Sequence, residues 1–148
     1  MHQNLKTLFI LLIITINVSH AEVHTIKMLN SGQDGFMVFE PAVIKISVGD
    51  TIKFEATDMA HNSASIQGMI PAGAQPWSGL MSRDISVDFD KEGIYVYQCT
   101  PHLLMAMVGV IQVGDTKNNL GEITALAEKK KSLFVTNKDR LDKYLLQL

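Results

Sequence analysis

The segment Cys99-Thr100-Pro101-His102-Leu103-Leu104-Met105-Ala106-Met107 constrains this chain more than any other stretch. It holds the only cysteine in the protein, a histidine on the same short loop, and two methionines just beyond. A soft thiolate, an imidazole and a thioether so close together make half of a metal site. Trigonal coordination by two His and one Cys, with a weak axial Met, is the ligand set that selects an electron-transfer copper. The loop has no second histidine, so the fold must bring one from elsewhere, and His61 is the candidate. Its rival, His24, sits in the first strand and reads as strand surface. Met105 and Met107 are both available as the thioether, and at most one is axial. Either also suits a core-filling role, since methionine adapts to irregular gaps.

The N-terminus narrows the choice of histidine. Lys6, the apolar run Leu8–Ile16 and the small-x-small triplet Ser19-His20-Ala21 form a cleavable export leader over residues 1–21. The run is shorter than the roughly 20 residues a membrane-spanning helix needs. Cleavage after Ala21 removes His2 and His20 as ligands, and the expected location is the periplasm. A free thiol outside the cytoplasm is a liability, and a lone cysteine has no internal disulfide partner. Metal ligation removes that liability.

From Val23 to Gln112 the apolar residues recur with period two, broken by turn residues. Val23–Leu29 reads as a first strand ended by Asn30-Ser31-Gly32. Asp34-Gly35 is a turn before Phe36–Phe39, and Pro41 breaks that strand or marks an edge. Ile44, Ile46 and Val48 alternate with polar residues, as do Ile52, Phe54 and Ala56. With Gly49-Asp50 between them, the two runs predict a hairpin. Thr57–Ser82 is rich in Gly, Pro, Ser and Met and reads as a long loop with at most a short helical turn. Ile85–Phe89, Ile94–Cys99 and Val108–Val113 complete the strands, and the last two flank the cysteine loop. The expected fold is an all-β Greek-key sandwich over residues 22–115.

Residues 116–148 change character and predict two helices packed on the sandwich. Asn119-x-x-Glu122 has capping-box spacing, and Leu141, Tyr144, Leu145 and Leu148 follow one helical face, with Thr136 or Asn137 as cap. The lysines here are interleaved with acids, which describes a solvated face rather than a nucleic-acid tail. There are no repeats, no glycine-rich phosphate loop and no acidic ion-binding cluster. Structural zinc sites use four Cys or His ligands with paired short spacings, and this chain lacks enough ligands so spaced. A Cys–His nucleophile would need a base and an oxyanion site, and nothing marks a substrate pocket, so an enzyme is not expected.

Together these segments resemble the pseudoazurin family, small blue-copper proteins of cupredoxin fold. The likeness rests on Asn30-Ser31-Gly32-Gln33-Asp34-Gly35, Met37-Val38-Phe39-Glu40-Pro41, Gly49-Asp50-Thr51-Ile52, His61-Asn62, Met69–Ala74, Cys99-Thr100-Pro101-His102 with Met107, and Val113-Gly114-Asp115. It covers nearly the whole chain after the leader, including the two C-terminal helices. The resemblance implies His61, Cys99, His102 and Met107 as ligands of one type 1 copper, cycling between Cu(I) and Cu(II). It implies that the amide of Asn62 helps hold the thiolate, that Met37 lies near the exposed ligand, and that His102 is the electron's exit. Met37, Pro101, Leu103 and Leu104 would then form an apolar docking patch.

The implied function is carriage of one electron between periplasmic redox partners by a monomer, without nucleic acid or membrane. A c-type cytochrome, a dehydrogenase, or a nitrite or other terminal reductase would serve as partner. A copper delivery or storage protein on the same fold is the alternative. The chain departs from the family around the site: Met59 and Gln98 stand where family lysines often occur. Residues 22–115 carry five Lys or Arg against eleven Asp or Glu.

Overall fold

Gly93–Gln98 (β7) and Val108–Val113 (β8) are apolar at almost every position, and strands of that composition must be covered on both faces. A computed structural model describes residues 20–148 and shows how this is met. The expected leader lies outside the described residues except for His20 and Ala21. The remaining strands are β1 (Val23–Gly32), β2 (Gly35–Glu40), β3 (Val43–Ile46), β4 (Thr51–Glu55), β5 (Ala64–Ser65) and β6 (Ile85–Asp88). They form two four-stranded sheets, ordered β2-β1-β4-β6 and β3-β8-β7-β5.

Alternation sorts the residues of β7 and β8 into two cores. Tyr95, Tyr97, Ile111 and Val113 face the other sheet and join Phe39, Phe54 and Phe89. Ile94, Val96, Val108 and Val110 face outward, where Ile123, Ala127, Phe134, Leu141 and Tyr144 cover them. These last residues come from α1 (Leu120–Lys131), the segment after it and α2 (Arg140–Leu145). The helices are thus a third layer, and the expected all-β sandwich with two packed helices is the observed architecture.

Several local expectations are corrected. The Ile44–Val48 and Ile52–Ala56 runs are not a hairpin: β3 pairs in parallel with β8, while β4 pairs with β1 and β6 in the other sheet. The Gly49-Asp50 turn carries the chain between sheets, and the Asp50 carboxylate ties it both to itself and to the start of β1. Its donors are Glu22 N–H, His24 Nε2 and Ser47 N–H, each at 2.9 Å. His24 is therefore engaged with Asp50 rather than idle on a strand surface. The first strand also runs on through Asn30-Ser31-Gly32, which pair in or continue the β1–β2 ladder, so the turn tightens to Gln33-Asp34. The Thr57–Ser82 loop contains the short β5 and no helical turn. It is anchored by Trp77, whose ring stacks on Phe54 at 5.9 Å and whose Nε1–H donates to Ser63 Oγ.

The helix caps differ as well. The Asn119 side chain makes no cap bond; it donates to Ile94 O and accepts from Ile94 N–H. β5 reaches only Tyr97 and Gln98, so Asn119 satisfies an otherwise open edge of β7. The second helix begins at Arg140, not after Thr136 or Asn137, and its N-cap Asp139 makes no side-chain cap bond.

Two consequences can be measured. Burial pushes the Asp50 carboxyl up, but the bonds from Glu22, His24 and Ser47 outweigh it and hold the group below its ordinary value of 3.8. The stabilisation is therefore complete above 3.8 and is lost as pH falls through the folded-state value. Asp50→Ala should cost about 2–3 kcal/mol in urea unfolding at neutral pH. That difference should shrink in acid; a constant difference would mean the ionised form is not the stabilising one. Gly109 lies opposite Tyr97 in the ladder, and a Cβ there would collide with the Tyr97 hydroxyl and ring. Gly109→Ala should destabilise by roughly 1–3 kcal/mol, read from the urea midpoint.

Candidate metal centre

Cys99 follows β7 at the inward parity of Tyr95 and Tyr97, so its sulfur enters the core between the sheets. Met107 precedes β8 at the inward parity of Gly109, Ile111 and Val113, and lies in the same core cluster as Cys99. Met105 has the opposite fate, a side chain on the surface that is 41% exposed. The backbone closes the loop between them. Cys99 N–H donates to the Met107 carbonyl at 2.9 Å, and Met107 N–H donates to the His102 carbonyl at 3.2 Å. One 3-10 turn, Leu103–Met105, fills the interval, and Ala106 then takes a left-handed conformation (φ 57°). That conformation costs a non-glycine residue about 1–2 kcal/mol, so its surroundings must enforce it.

His61 arrives from the start of the long loop. Its carbonyl accepts from Ser82 N–H at 2.8 Å, and its ring is wholly buried. His61 Nε2 donates to Asn30 Oδ1 at 2.9 Å; the oxygen only accepts, so the ring proton is on Nε2 and the Nδ1 lone pair points at the cluster. Asn62 ties the two loops together. Its Oδ1 accepts from Thr100 N–H at 2.8 Å, and its Nδ2 donates to Thr100 Oγ1 and to Gly79 O.

Three donors meet. Cys99 Sγ lies 3.6 Å from His61 Nδ1 and 3.4 Å from His102 Nδ1, and the two nitrogens are 3.1 Å apart. The centre of such a triangle is about 2 Å from each corner, in the range of bonds from a transition metal to imidazole nitrogen or thiolate sulfur. Among the described residues this is the one grouping of three such donors, and His24 is not part of it. Burial pushes His61 below the ordinary imidazole value; His102 adds to that and Asp58 opposes it. The ring is thus kept neutral, as a metal ligand must be. Burial pushes the Cys99 thiol up, while the backbone N–H groups of Asn62 and His102 draw it down by stabilising negative sulfur. The expected part for the Asn62 amide thus falls to its backbone N–H, with the side chain serving as a latch on Thr100. His61 and Cys99 are buried, and His102 alone of the three is partly exposed.

Of the four residues the sequence nominates, His61, Cys99 and His102 converge, and Met107 is buried in the adjoining core. A thiolate, two imidazoles and a core methionine form a donor set that suits copper, and no fourth Cys or His completes a structural zinc site among the described residues. Two contributors were not nominated. Asn30 reads in sequence as a turn residue, yet it orients His61. Arg140 reads as a solvated helix charge, yet it is 5% exposed and donates to backbone carbonyls beside the site.

Comparison with known proteins agrees with this geometry. Residues 26–114 match the family model for copper binding proteins of the plastocyanin/azurin family. The chain is 41% identical over 142 residues to a pseudoazurin of Methylorubrum extorquens, an alignment covering 96% of this chain and 92% of that one. It is 36% identical to a pseudoazurin of Paracoccus pantotrophus, over 86% and 85% of the two chains. The crystal structure of pseudoazurin from Methylobacterium extorquens AM1 superposes with a TM-score of 0.73 at 42% identity, over 85% of this chain and 98% of that one. The chain therefore belongs to the plastocyanin/azurin family of copper-binding proteins and, within it, to the pseudoazurins, blue-copper electron-transfer proteins and not enzymes.

Proposed function

We propose that His61, Cys99, His102 and Met107 hold one copper ion, and that the exported protein carries single electrons between larger redox proteins in the periplasm. The observation that carries this reading is the triangle of Cys99 Sγ and two histidine Nδ1 atoms, buried on the His61 side and partly open at His102. Bound copper supplies the one-electron couple between Cu(I) and Cu(II). The protein supplies rigidity. Loop bonds from Cys99 to Met107 and from Met107 to His102 limit how far the donors move when the charge on the metal changes. His61 is held from behind by Asn30, so the buried imidazole stays in place.

His102 is the exit in this reading, because the other two donors of the triangle are sealed from solvent. Around that end of the molecule Phe36, Leu104, Met105 and Val135 are exposed apolar side chains, and Phe36, Met105 and Val135 extend the patch beyond the expected residues. An apolar patch suits brief redox encounters, which bury little surface. Residues 22–115 carry an acidic excess, and two of their five basic side chains are already paired, Lys45 with Asp115 and Lys53 with Asp84. An acidic surface of this kind suits a partner with a basic rim better than an acidic one. A c-type cytochrome, a dehydrogenase or a reductase is the candidate partner, and the acidic balance weighs against an acidic nitrite reductase. The carrier acts as a monomer.

The deciding experiment is a visible spectrum of the protein after copper(II) and then ascorbate. An intense blue or green colour should bleach on reduction, return on oxidation, and be absent in Cys99→Ser. Colour retained in that variant would remove Cys99 from the site, and copper lost within a few redox cycles would favour delivery over carriage. Met107→Gln should alter the spectrum and the reduction potential more than Met105→Gln. The reverse order would make Met105 the axial ligand.

A further inference from the structure

Arg140 is a buried cation, and among the described residues no carboxylate lies within ion-pair distance of it. Its guanidinium is instead spent on backbone carbonyls. Nη1 donates to Met37 O at 3.0 Å, Ala106 O at 3.1 Å and Met105 O at 3.4 Å. Nη2 donates to Asp34 O at 3.0 Å and Phe36 O at 3.2 Å. Two of these acceptors, Met37 (φ 52°) and Ala106 (φ 57°), are non-glycine residues in the left-handed conformation. Ala106 immediately precedes Met107, and Met37 packs against the core that contains Cys99 and Met107.

The rest of the C-terminal segment grips the same loop. Val135 N–H donates to Leu104 O at 2.7 Å, and Asn137 Nδ2 donates to Met105 O at 3.2 Å. Consecutive carbonyls from Leu104 to Ala106 are thus held by Val135, Asn137 and Arg140. The clamp is itself anchored: Leu141 and Tyr144 are buried in the outer core, and Tyr144 Oη donates to Asp34 Oδ2 at 2.9 Å. Bonds from a cation to carbonyls are stronger than neutral ones, and a planar fork can serve several fixed acceptors where an ammonium cannot.

We propose that Arg140 is a positioning residue for the metal centre: by holding the Ala106 and Met37 carbonyls, it sets where Met107 lies against the His61–Cys99–His102 triangle. The inference rests on the reading of Met107 as a copper ligand. Other chain segments hold His61 and Cys99, so the effect of Arg140 should appear in the axial interaction.

The test uses copper-loaded full-length protein after leader removal, in the forms Arg140→Lys, Arg140→Ala, Arg140→Lys with Ala106→Gly, and Lys129→Ala. The last removes an exposed positive charge on α1 and serves as the charge control. Arg140→Lys and Arg140→Ala should change the ratio of the thiolate-to-copper bands and the symmetry of the copper(II) paramagnetic resonance. They should also weaken copper binding about 10–100-fold in competition with a chelator, the effect typical of losing a residue that orients ligands. Lys129→Ala should change none of these. Glycine adopts the left-handed conformation without strain, so Ala106→Gly should move the Arg140→Lys spectrum back toward wild type.

Wild-type spectra and affinity in both Arg140 variants would overturn the proposal, as would equal changes in Lys129→Ala. A double variant no closer to wild type would also overturn the route through Ala106. Failure of both Arg140 variants to fold would assign the residue to stability and overturn its positioning role. A colourless wild-type protein would instead remove the copper-ligand reading on which the proposal stands.

Discussion

Covering both faces of β7 and β8 is the constraint on which the rest of this structure depends. Once one face belongs to the inter-sheet core and the other to the helices, every side chain along these strands has an assigned side. Parity then continues past the strand ends. Cys99 inherits the side of Tyr95 and Tyr97, and Met107 that of Ile111 and Val113. The same parity puts Gly109 opposite Tyr97, where only a hydrogen leaves room for the ring. Tyr97 in turn sits edge-on to Phe39 at 4.7 Å and Phe54 at 5.0 Å, forming an aromatic floor in the core that also contains Cys99 and Met107. Where Cys99 and Met107 stand is thus decided by packing that extends well away from them.

What the sequence made legible follows from this. Strand alternation is a local signal, so the strands and the cysteine loop between the last two could be read directly. Partner choice is not local. The runs around Gly49-Asp50 look like a hairpin because each has one wet face, but that pattern is equally satisfied by strands in different sheets. Asp50 decides the matter by taking donors from β1 and Glu22, contacts that no spacing rule exposes. The family resemblance, rather than periodicity, singled out Met107 over Met105. The parity of β8 points the same way, but it is meaningful only when both faces of that strand are known to be covered. Arg140 was illegible for a related reason. An arginine among Lys138, Asp139, Asp142 and Lys143 looks like part of a solvated helix face, and only the tertiary fold buries it.

Three asparagines, two of them beside the converging donors and one at the far end of β7, share one economy of design. Asn30 meets the back of His61, Asn62 joins the two loops, and Asn119 closes the edge of β7. Asparagine offers a donor and an acceptor on one short planar group, so it can bridge backbone or ring groups without adding net charge to a low-dielectric interior. Two full charges are brought inside: the Asp50 carboxylate is met by three donors, and the charge on Arg140 is spread over five carbonyl dipoles. A buried charge without acceptors would be severely unfavourable.

The grip of Val135, Asn137 and Arg140 on the Leu104–Ala106 carbonyls also has a temporal meaning. Ribosomes release a chain from its N-terminus, so His61, Cys99, His102 and Met107 all emerge before the residues that clamp their loop. For that interval the loop carries Cys99, His102 and Met107 but lacks its contacts with Val135, Asn137 and Arg140. The loop thus becomes fixed only once the segment that carries Val135, Asn137 and Arg140 has followed it and docked.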